Sequence, residues 1–226
     1  MKILVFFFSI LFFFSYDVTA SQKFYIQGSL NQIFVDNPDI DRYNGSTSGL
    51  TFTGLDGTLE FDNDTGLGFE IGLKSISESN FRLGYQYSKF DLKFDKGSGA
   101  GTITDGSNTV NFSVSATKSQ LEAIGIDFDN DVSLHMVNGY YDFNGYWETF
   151  VPFVGVGLGI ASIENAQDDE SAYSFILGFK KYISENNIYI GYQSSFITID
   201  GPEDKLELEY DDINVHIASI QVGFEF

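Results

Sequence analysis

One of the two histidines in the chain lies among residue types that take part in acid–base and nucleophilic chemistry. His135 follows Ser133 by two positions and Asp131 by four. A histidine with a hydroxyl and a carboxylate can supply a base, a nucleophile and an orienting group. Nothing in the sequence fixes the mutual geometry of these side chains, and the same holds for the second histidine, His216. We therefore expect no enzymatic activity and assign no catalytic residue.

Two acidic runs contain the oxygen ligands that Ca²⁺ prefers. They are residues 127–131, DFDND, and residues 200–212, DGPEDKLELEYDD. Neither has the twelve-residue spacing and terminal glutamate of an EF-hand loop. Solvated carboxylates are the favoured interpretation, so we assign no metal and no cofactor, and divalent-ion binding by these runs stays an open alternative.

The negative charge of the chain is concentrated in four stretches. The formal net charge is −20, and residues 36–64, 95–133, 162–172 and 198–212 together hold 24 acidic and 4 basic residues. The sequence has no basic stripe to meet phosphates, so nucleic acid is excluded as a partner. Acidic stretches of this kind are typical of solvated loops.

The first twenty residues read as a secretion signal that precedes a single domain. Residues 1–20 carry one lysine, an apolar run from Ile3 to Phe14 and short side chains at Val18-Thr19-Ala20. The apolar run is too short to span a membrane as a helix. We expect residues 1–20 to be removed and residues 21–226 to fold as one exported domain.

The end of the chain alternates strictly between apolar and polar residues. From Ala218 to Phe226 every second residue is apolar, and Ser219, Gln221, Gly223 and Glu225 lie between them. This period of two predicts a strand with one apolar face. Seven earlier segments alternate in the same way, and they are residues 23–31, 65–74, 80–88, 134–144, 151–162, 172–181 and 187–196.

The connections between these eight segments are alternately long and short. The long ones cover residues 34–64, 89–133, 163–171 and 197–212, whereas the short ones centre on residues 77–79, 145–148 and 184–186. Long loops at one end and tight turns at the other are typical of transmembrane barrels. The sequence predicts an all-β fold, an eight-stranded antiparallel up-and-down transmembrane β-barrel with long extracellular loops. Residues 101–116 leave open whether a further hairpin adds two strands.

The composition of the two faces predicts which side of the barrel meets lipid. The apolar face has no charge across the proposed membrane zone, and the other face is mostly Gly, Ser, Gln, Asn and Tyr, which suits a narrow interior. We expect Glu70, Arg82, Asp142 and Lys180 to form a lumenal charge network that closes the pore, because buried charges require partners. A small gated ion-conducting porin and a secreted lipocalin-like carrier remain the alternatives.

The stretch from Val137 to Ala161, VNGYYDFNGYWETFVPFVGVGLGIA, resembles the opacity-type and surface-antigen family of outer-membrane barrels. The resemblance is carried by an Asn-x-Tyr-Tyr-Asp-Phe strand and a Pro-aromatic-x-Gly-x-Gly-x-Gly strand, with Gly191-Tyr192 and His216 as further matches. Gln193 stands where such proteins often have an arginine. The matching residues of the main motif are Asn138, Tyr140, Tyr141, Asp142, Phe143, Pro152, Phe153, Gly155, Gly157 and Gly159.

The resemblance implies a place in the outer membrane of a Gram-negative bacterium and a structural, adhesin-like or antigen-like role at the cell surface. The implied partners are outer-membrane lipid, lipopolysaccharide, the outer-membrane assembly machinery and host or surface ligands of the acidic loops. It also implies that the terminal aromatics Phe224 and Phe226 act as an assembly signal. Lys89 and Lys93, just above the third segment, are expected to contact lipopolysaccharide phosphates.

Overall fold

The computed structural model describes most of the chain beyond the signal segment. The signal segment and the three predicted short turns lie outside the described residues. The described ranges are 23–47, 50–74, 80–123, 129–144, 150–164, 166–183, 187–203 and 210–226.

The described part of the chain is almost entirely β-structure, with one short helix. No helix in these ranges is long and apolar enough to cross a membrane. The elements are β1 (Lys23–Val35), β2 (Asp39–Thr47), β3 (Leu50–Asp62), β4 (Asp64–Lys74), β5 (Phe81–Asp105), β6 (Asn108–Thr117), α1 (Lys118–Glu122), β7 (Asn130–Asp142), β8 (Phe150–Ile163), β9 (Glu170–Tyr182), β10 (Ile188–Ile199) and β11 (Ile213–Glu225).

Eight of these strands form a closed antiparallel ring. The ring runs β1-β4-β5-β7-β8-β9-β10-β11, and β11 pairs back onto β1 from Tyr25↔Glu225 to Val35↔Val215. Closure gives every ring strand a hydrogen-bonded partner on both sides, so the ring has no edge strand with a row of unpaired N–H and C=O groups. The structure confirms the eight-stranded barrel and places residues 101–116 outside the ring.

Two of the predicted long loops are ordered strands that build a second sheet. β5 pairs with β7 up to Leu92↔Asn130 and then continues beyond the barrel, where it pairs with β3 from Asp62↔Lys93 onward. The resulting four-stranded sheet has the order β2-β3-β5-β6. We call it the extracellular sheet. The predicted long extracellular connections 34–64 and 89–133 contain the strands of this sheet, and residues 101–116 lie in its β5–β6 hairpin.

The outer surface of the barrel is an apolar belt. Leu30, Val156 and Ile220 are 66%, 64% and 65% exposed. Along β11 the belt extends from Phe226 to His216, which is about 34 Å along the strand. Because the strand is tilted by roughly 45° from the barrel axis, the height of the belt is about 25 Å, which matches a bilayer core. Further exposed members are Phe24, Ile26, Leu67, Phe69, Ile71, Phe81, Leu158, Phe175, Leu177, Phe179, Ile190, Val222 and Phe224.

The apolar phase changes sides where the strands leave the belt. On β5 the outward residues Tyr85 and Tyr87 are followed by the outward Lys89, whereas Phe90 and Leu92 turn inward and are buried. The lumen is therefore apolar at its extracellular end and polar below. The buried apolar cluster contains Ile33, Phe90, Leu92, Val132, Leu134, Met136, Ala161, Ala172, Ile197, Ile199, Ile213, Val215 and Ile217.

Candidate functional site

The four charged residues predicted for the lumen lie together near its periplasmic end. Arg82 Nη1 is 3.6 Å from Glu70 Oε1, and Arg82 Nε is 3.4 Å from Asp142 Oδ1. Lys180 Nζ donates to Asp142 Oδ2 at 2.8 Å. All four side chains are at most 2% exposed. Each of the four residues lies near the periplasmic end of its strand, at a position whose side chain points into the lumen.

Two further charged residues complete this network and were missed from the sequence-based set. Glu225 accepts from Lys180 Nζ at 3.1 Å and from Tyr182 Oη at 2.6 Å, and it also pairs with Lys74. Lys74 Nζ donates to Tyr182 Oη at 2.7 Å. With these two residues the network has three cations and three carboxylates, so its formal charge is balanced. Inward parity at the ends of β4 and β11 was the signal that could have identified them.

Aromatic side chains and a glycine complete the surroundings of Glu70. Tyr140 Oη donates to Glu70 Oε2 at 2.6 Å, and Tyr25 Oη donates to Oε1. The Arg82 guanidinium lies 4.0 Å from the centre of the Tyr140 ring, a cation–π distance. A Cβ on Gly84 would lie 2.5 Å from Glu70 Oε1, so only glycine leaves room for this arrangement.

Above the charges, amide and hydroxyl groups link neighbouring strands around the polar part of the lumen. Gln221 Nε2 donates to Gln193 Oε1 at 2.8 Å, and Ser219 Oγ donates to Asn31 Oδ1 at 2.8 Å. Gln193 stands where the resembling family often has an arginine, and here it joins this amide layer instead of a salt bridge. The described lumen thus has three layers: charged, amide-rich and apolar.

Both histidines face outward, at the extracellular edge of the apolar belt. His135 Nδ1 is 2.7 Å from Tyr85 Oη, and its ring lies 5.0 Å from that of Tyr87. The structure does not bring Ser133 and Asp131 onto His135. Ser133 Oγ is 3.4 Å from Tyr87 Oη, and Asp131 pairs with Lys89.

His216 has the same kind of surroundings. Its ring stacks between Phe34 and Phe196 at centroid distances of 5.6 Å and 4.7 Å. Its Nε2 is 2.7 Å from Ser194 Oγ. These contacts are those of interfacial aromatic residues at the headgroup level of a bilayer.

The two lysines predicted to contact lipopolysaccharide are both paired with carboxylates. Lys89 Nζ lies 2.6 Å from Asp131 Oδ2, and both side chains are half exposed. Lys93 pairs with Asp64, whose other oxygen accepts from the Asp91 amide at 2.9 Å. A phosphate at this level would compete with these carboxylates for the ammonium groups, so the contacts stay a prediction.

The acidic runs are partly described. Asp129 accepts from the Phe94 amide at 3.0 Å and pairs with Lys118, so it connects the base of the extracellular sheet to α1. Asp127 and residues 204–209 lie outside the described residues. Within the described ranges, no group of three or more His, Cys, Asp or Glu residues is placed to hold a metal ion.

One face of the extracellular sheet contains an acidic cleft of about 490 Å³. Asp39, Asp56 and Asp211 supply its carboxylates, and Thr58 and Ser113 are among its hydroxyl groups. Thr58 Oγ1 donates to Asp39 Oδ1 at 2.8 Å. The cleft therefore presents negative charge above the barrel.

No protein-family model and no curated protein matches the chain. Solved structures are similar to it. Neisserial surface protein A (NspA) is 12% identical, with a TM-score of 0.52 over 90% of this chain and 97% of that chain. Ail, the attachment invasion locus protein of Yersinia pestis, crystallised with the heparin analogue sucrose octasulfate, is 10% identical, with a TM-score of 0.41 over 91% and 99%.

The likeness to NspA concerns the fold, and it agrees with the ring of eight strands. The apolar belt gives the independent reason for a lipid environment, because a side chain such as Leu30 would otherwise be exposed to water. The chain is an outer-membrane β-barrel, as predicted. A secreted carrier with an apolar interior and a polar exterior does not fit this surface.

Proposed function

We propose that this chain is a non-enzymatic surface protein that uses a closed barrel to hold a recognition sheet above the outer membrane. The observation that carries the proposal is β5, which runs for 25 residues from the barrel wall into the extracellular sheet. A continuous strand transmits the rigidity of the barrel to the sheet. Rigid scaffolds that position exposed segments are the usual basis of surface recognition.

The three lumenal layers support a closed barrel over the alternative of a gated porin. An eight-stranded barrel has an interior just wide enough for side chains. The hydrogen bond from Lys74 Nζ of β4 to Tyr182 Oη of β9, at 2.7 Å, connects strands that lie four positions apart in the ring, on opposite sides of the wall. We expect the purified protein in planar bilayers to give no stable conductance steps. Steps that persist after removal of contaminating porins would overturn the closed lumen.

The charge of the extracellular face favours cationic over anionic ligands. The cleft carboxylates and the net charge of −20 repel polyanions such as heparin analogues. Lipopolysaccharide contact through Lys89 and Lys93 is a separate proposal for the membrane-proximal rim. It requires a phosphate to displace Asp131 from Lys89 or Asp64 from Lys93. Binding of purified lipopolysaccharide should then fall in a Lys89→Gln/Lys93→Gln variant.

The recognition role is tested by removing the tip of the extracellular sheet. Ser98 pairs with Ser115, so residues 98–115 can be replaced by Asn-Gly to join Gly97 to Ala116 in a tight turn. Bacteria that display the full chain should attach to epithelial monolayers or immobilised matrix proteins, and those displaying the shortened variant should not. Equal outer-membrane levels and heat-modifiable gel mobility control for folding. Attachment by the shortened variant, or none by the full chain, would contradict the proposal.

A further inference from the structure

The extracellular sheet has two edges, and they differ in sequence and regularity. β2 begins at the charged residue Asp39, and its register with β3 is interrupted twice between Ile40 and Gly45. Charges and bulges are the devices by which proteins prevent an edge strand from pairing further. The β2 edge is therefore protected.

The β6 edge has none of these devices. Its ten residues, NTVNFSVSAT, include no charge and no proline. Its register with β5 is unbroken from Lys96↔Thr117 to Asp105↔Asn108. Within the described part of the chain, β5 is the single strand that pairs with β6. A long, regular and uncharged edge is a template for another strand.

Hairpin geometry identifies the backbone groups that face outward. Gly106 and Ser107 form a two-residue loop, and Gly106 has φ of +50°, which favours glycine. The residues that flank such a loop form a hydrogen-bonded pair, and bonding then alternates along the strand. The residues whose N–H and C=O groups point away from β5 and toward the edge are therefore Thr109, Asn111, Ser113 and Ser115. The N–H of Thr117 donates to Gln120 Oε1 at 2.9 Å, so the open edge ends before this residue.

The two faces of β6 specify the side chains of an incoming strand. Val110 and Val114 are 60% and 59% exposed on one face, so apolar residues of a partner would extend this surface. Ser113 is on the other face, at the wall of the acidic cleft. A partner beside β6 would lie about 14 Å from Asp56 in β3, at roughly 4.8 Å per strand, which is too far for contact but suits electrostatic steering.

The strand that pairs with β6 could come from a second copy of this chain or from a different polypeptide, and charge decides between them. A second copy would bring another chain with a net charge of −20 against the same acidic sheet. Resting on the proposed recognition role, we infer that the β6 edge binds an extended polypeptide segment in which apolar and cationic residues alternate, by addition of a fifth strand to the extracellular sheet.

The test uses the full mature chain in lipid nanodiscs and two synthetic peptides, KVTVKVTVKV and EVTVEVTVEV. We expect the cationic peptide to bind about tenfold more tightly than the acidic one. By NMR, it should slow amide exchange at the outward-facing β6 residues. Absence of protection along β6, or equal binding of both peptides, would overturn the inference.

Substitution at Ser113 separates strand addition from other modes of binding. Ser113→Pro removes an outward N–H and should weaken binding about tenfold or more, whereas Ser113→Ala keeps the N–H and should bind like the natural chain. Exchange protection of the natural chain is the readout that does not depend on folding of the proline variant. Equal binding by a folded Ser113→Pro variant would contradict strand addition.

The remaining outcomes distinguish the inference from the function on which it rests. A dimer in sedimentation, with β6 amides protected in the absence of peptide, would overturn the assigned occupant in favour of a second copy. Peptide binding without bacterial attachment would contradict the proposed function and leave the docking strand supported. Attachment that depends on residues 98–115 without peptide binding would contradict the docking strand alone.

Discussion

Glu225 and Lys180 lie 3.1 Å apart inside the lumen, carboxylate oxygen to ammonium nitrogen, although β10 separates their strands. On its other side Glu225 pairs with Lys74 of β4, across the intervening β1. Glu225 therefore links the closing strand to its second neighbours on both sides of the β1–β11 seam. We expect this residue to contribute strongly to barrel closure.

Glu225→Gln preserves the shape of the side chain and leaves three cations facing two carboxylates. Removal of one partner from a buried ionic network costs about 3 to 5 kcal/mol. We expect the free energy of unfolding, from denaturant titration in lipid vesicles, to fall by this order. Asp131→Asn, at the exposed pair with Lys89, is the control and should cause no measurable change. A Glu225→Gln variant as stable as the natural chain would contradict the role of this link.

The close packing of the lumen can be tested at Gly72, with the exposed Gly28 as the control. A Cβ on Gly72 would lie 2.2 Å from the Leu83 carbonyl oxygen and 2.5 Å from the Tyr25 ring, whereas one on Gly28 would meet nothing within 4 Å. We expect Gly72→Ala to reduce the free energy of unfolding by about 1 to 3 kcal/mol, and Gly28→Ala to leave it nearly unchanged. Equal effects of the two substitutions in the same denaturant titration would contradict close packing of the lumen around Gly72.

The eight ring strands could be predicted because alternation with a period of two is a local property. The predicted closing strand and the seven earlier alternating segments each lie within a few residues of the observed ring strands. Strand ends were less accurate on the extracellular side. There the apolar phase shifts by one residue, as at Tyr87 and Phe90, because the exterior changes from lipid to water. The shift itself is the signal that marks the membrane exit.

The extracellular sheet could not be predicted in the same way. Its pairing joins β3 with β5, and the composition of acidic connections does not specify which of them meet. Four of the six charged residues of the lumenal network were predicted, and the inward positions of Lys74 and Glu225 could have added these two. That they pair with each other depends on barrel closure, which brings strand ends together over 151 positions of sequence.

Val222 lies near the middle of the apolar belt on β11. Its side chain is 57% exposed, and a lysine there would place an ammonium group in lipid. We expect Val222→Lys to lower the free energy of unfolding in vesicles by roughly 2 to 4 kcal/mol. Val110→Lys, on the extracellular sheet, introduces the same change in water and should have little effect. A Val222→Lys variant as stable as Val110→Lys would contradict the placement of the belt.

Glu170, the first residue of β9, lies at the extracellular mouth among other acidic residues. Burial, followed by the charges of Asp200 and Asp168, raises the pKa of Glu170 above its ordinary value. The folded state then binds the proton more tightly than the unfolded state does. The resulting stabilisation is fully present below the ordinary pKa of about 4.5 and is lost as the pH rises through the raised value.

Glu170→Gln removes this titration. We expect the variant to gain stability relative to the natural chain at pH 7, and the gain to shrink at pH 4. Thermal unfolding in vesicles at both pH values measures the difference, and Glu122→Gln in α1 is the control. A constant difference between the two pH values would show that Glu170 does not titrate differently on folding.

Phe226 contributes both to the seam and to the predicted assembly signal, and the two roles separate experimentally. Its amide donates to the Phe24 carbonyl at 2.9 Å, and its ring stacks on those of Phe24 and Phe224 at 6.1 Å and 5.8 Å. Phe226→Ala keeps the backbone bond and removes the ring from the exposed face. We expect a small loss of stability after refolding in vitro but a large loss of assembled protein in cells, measured by heat-modifiable gel mobility. Phe24→Ala removes the stacking partner without changing the C-terminus, so an equal loss of assembly in both variants would contradict the signal role.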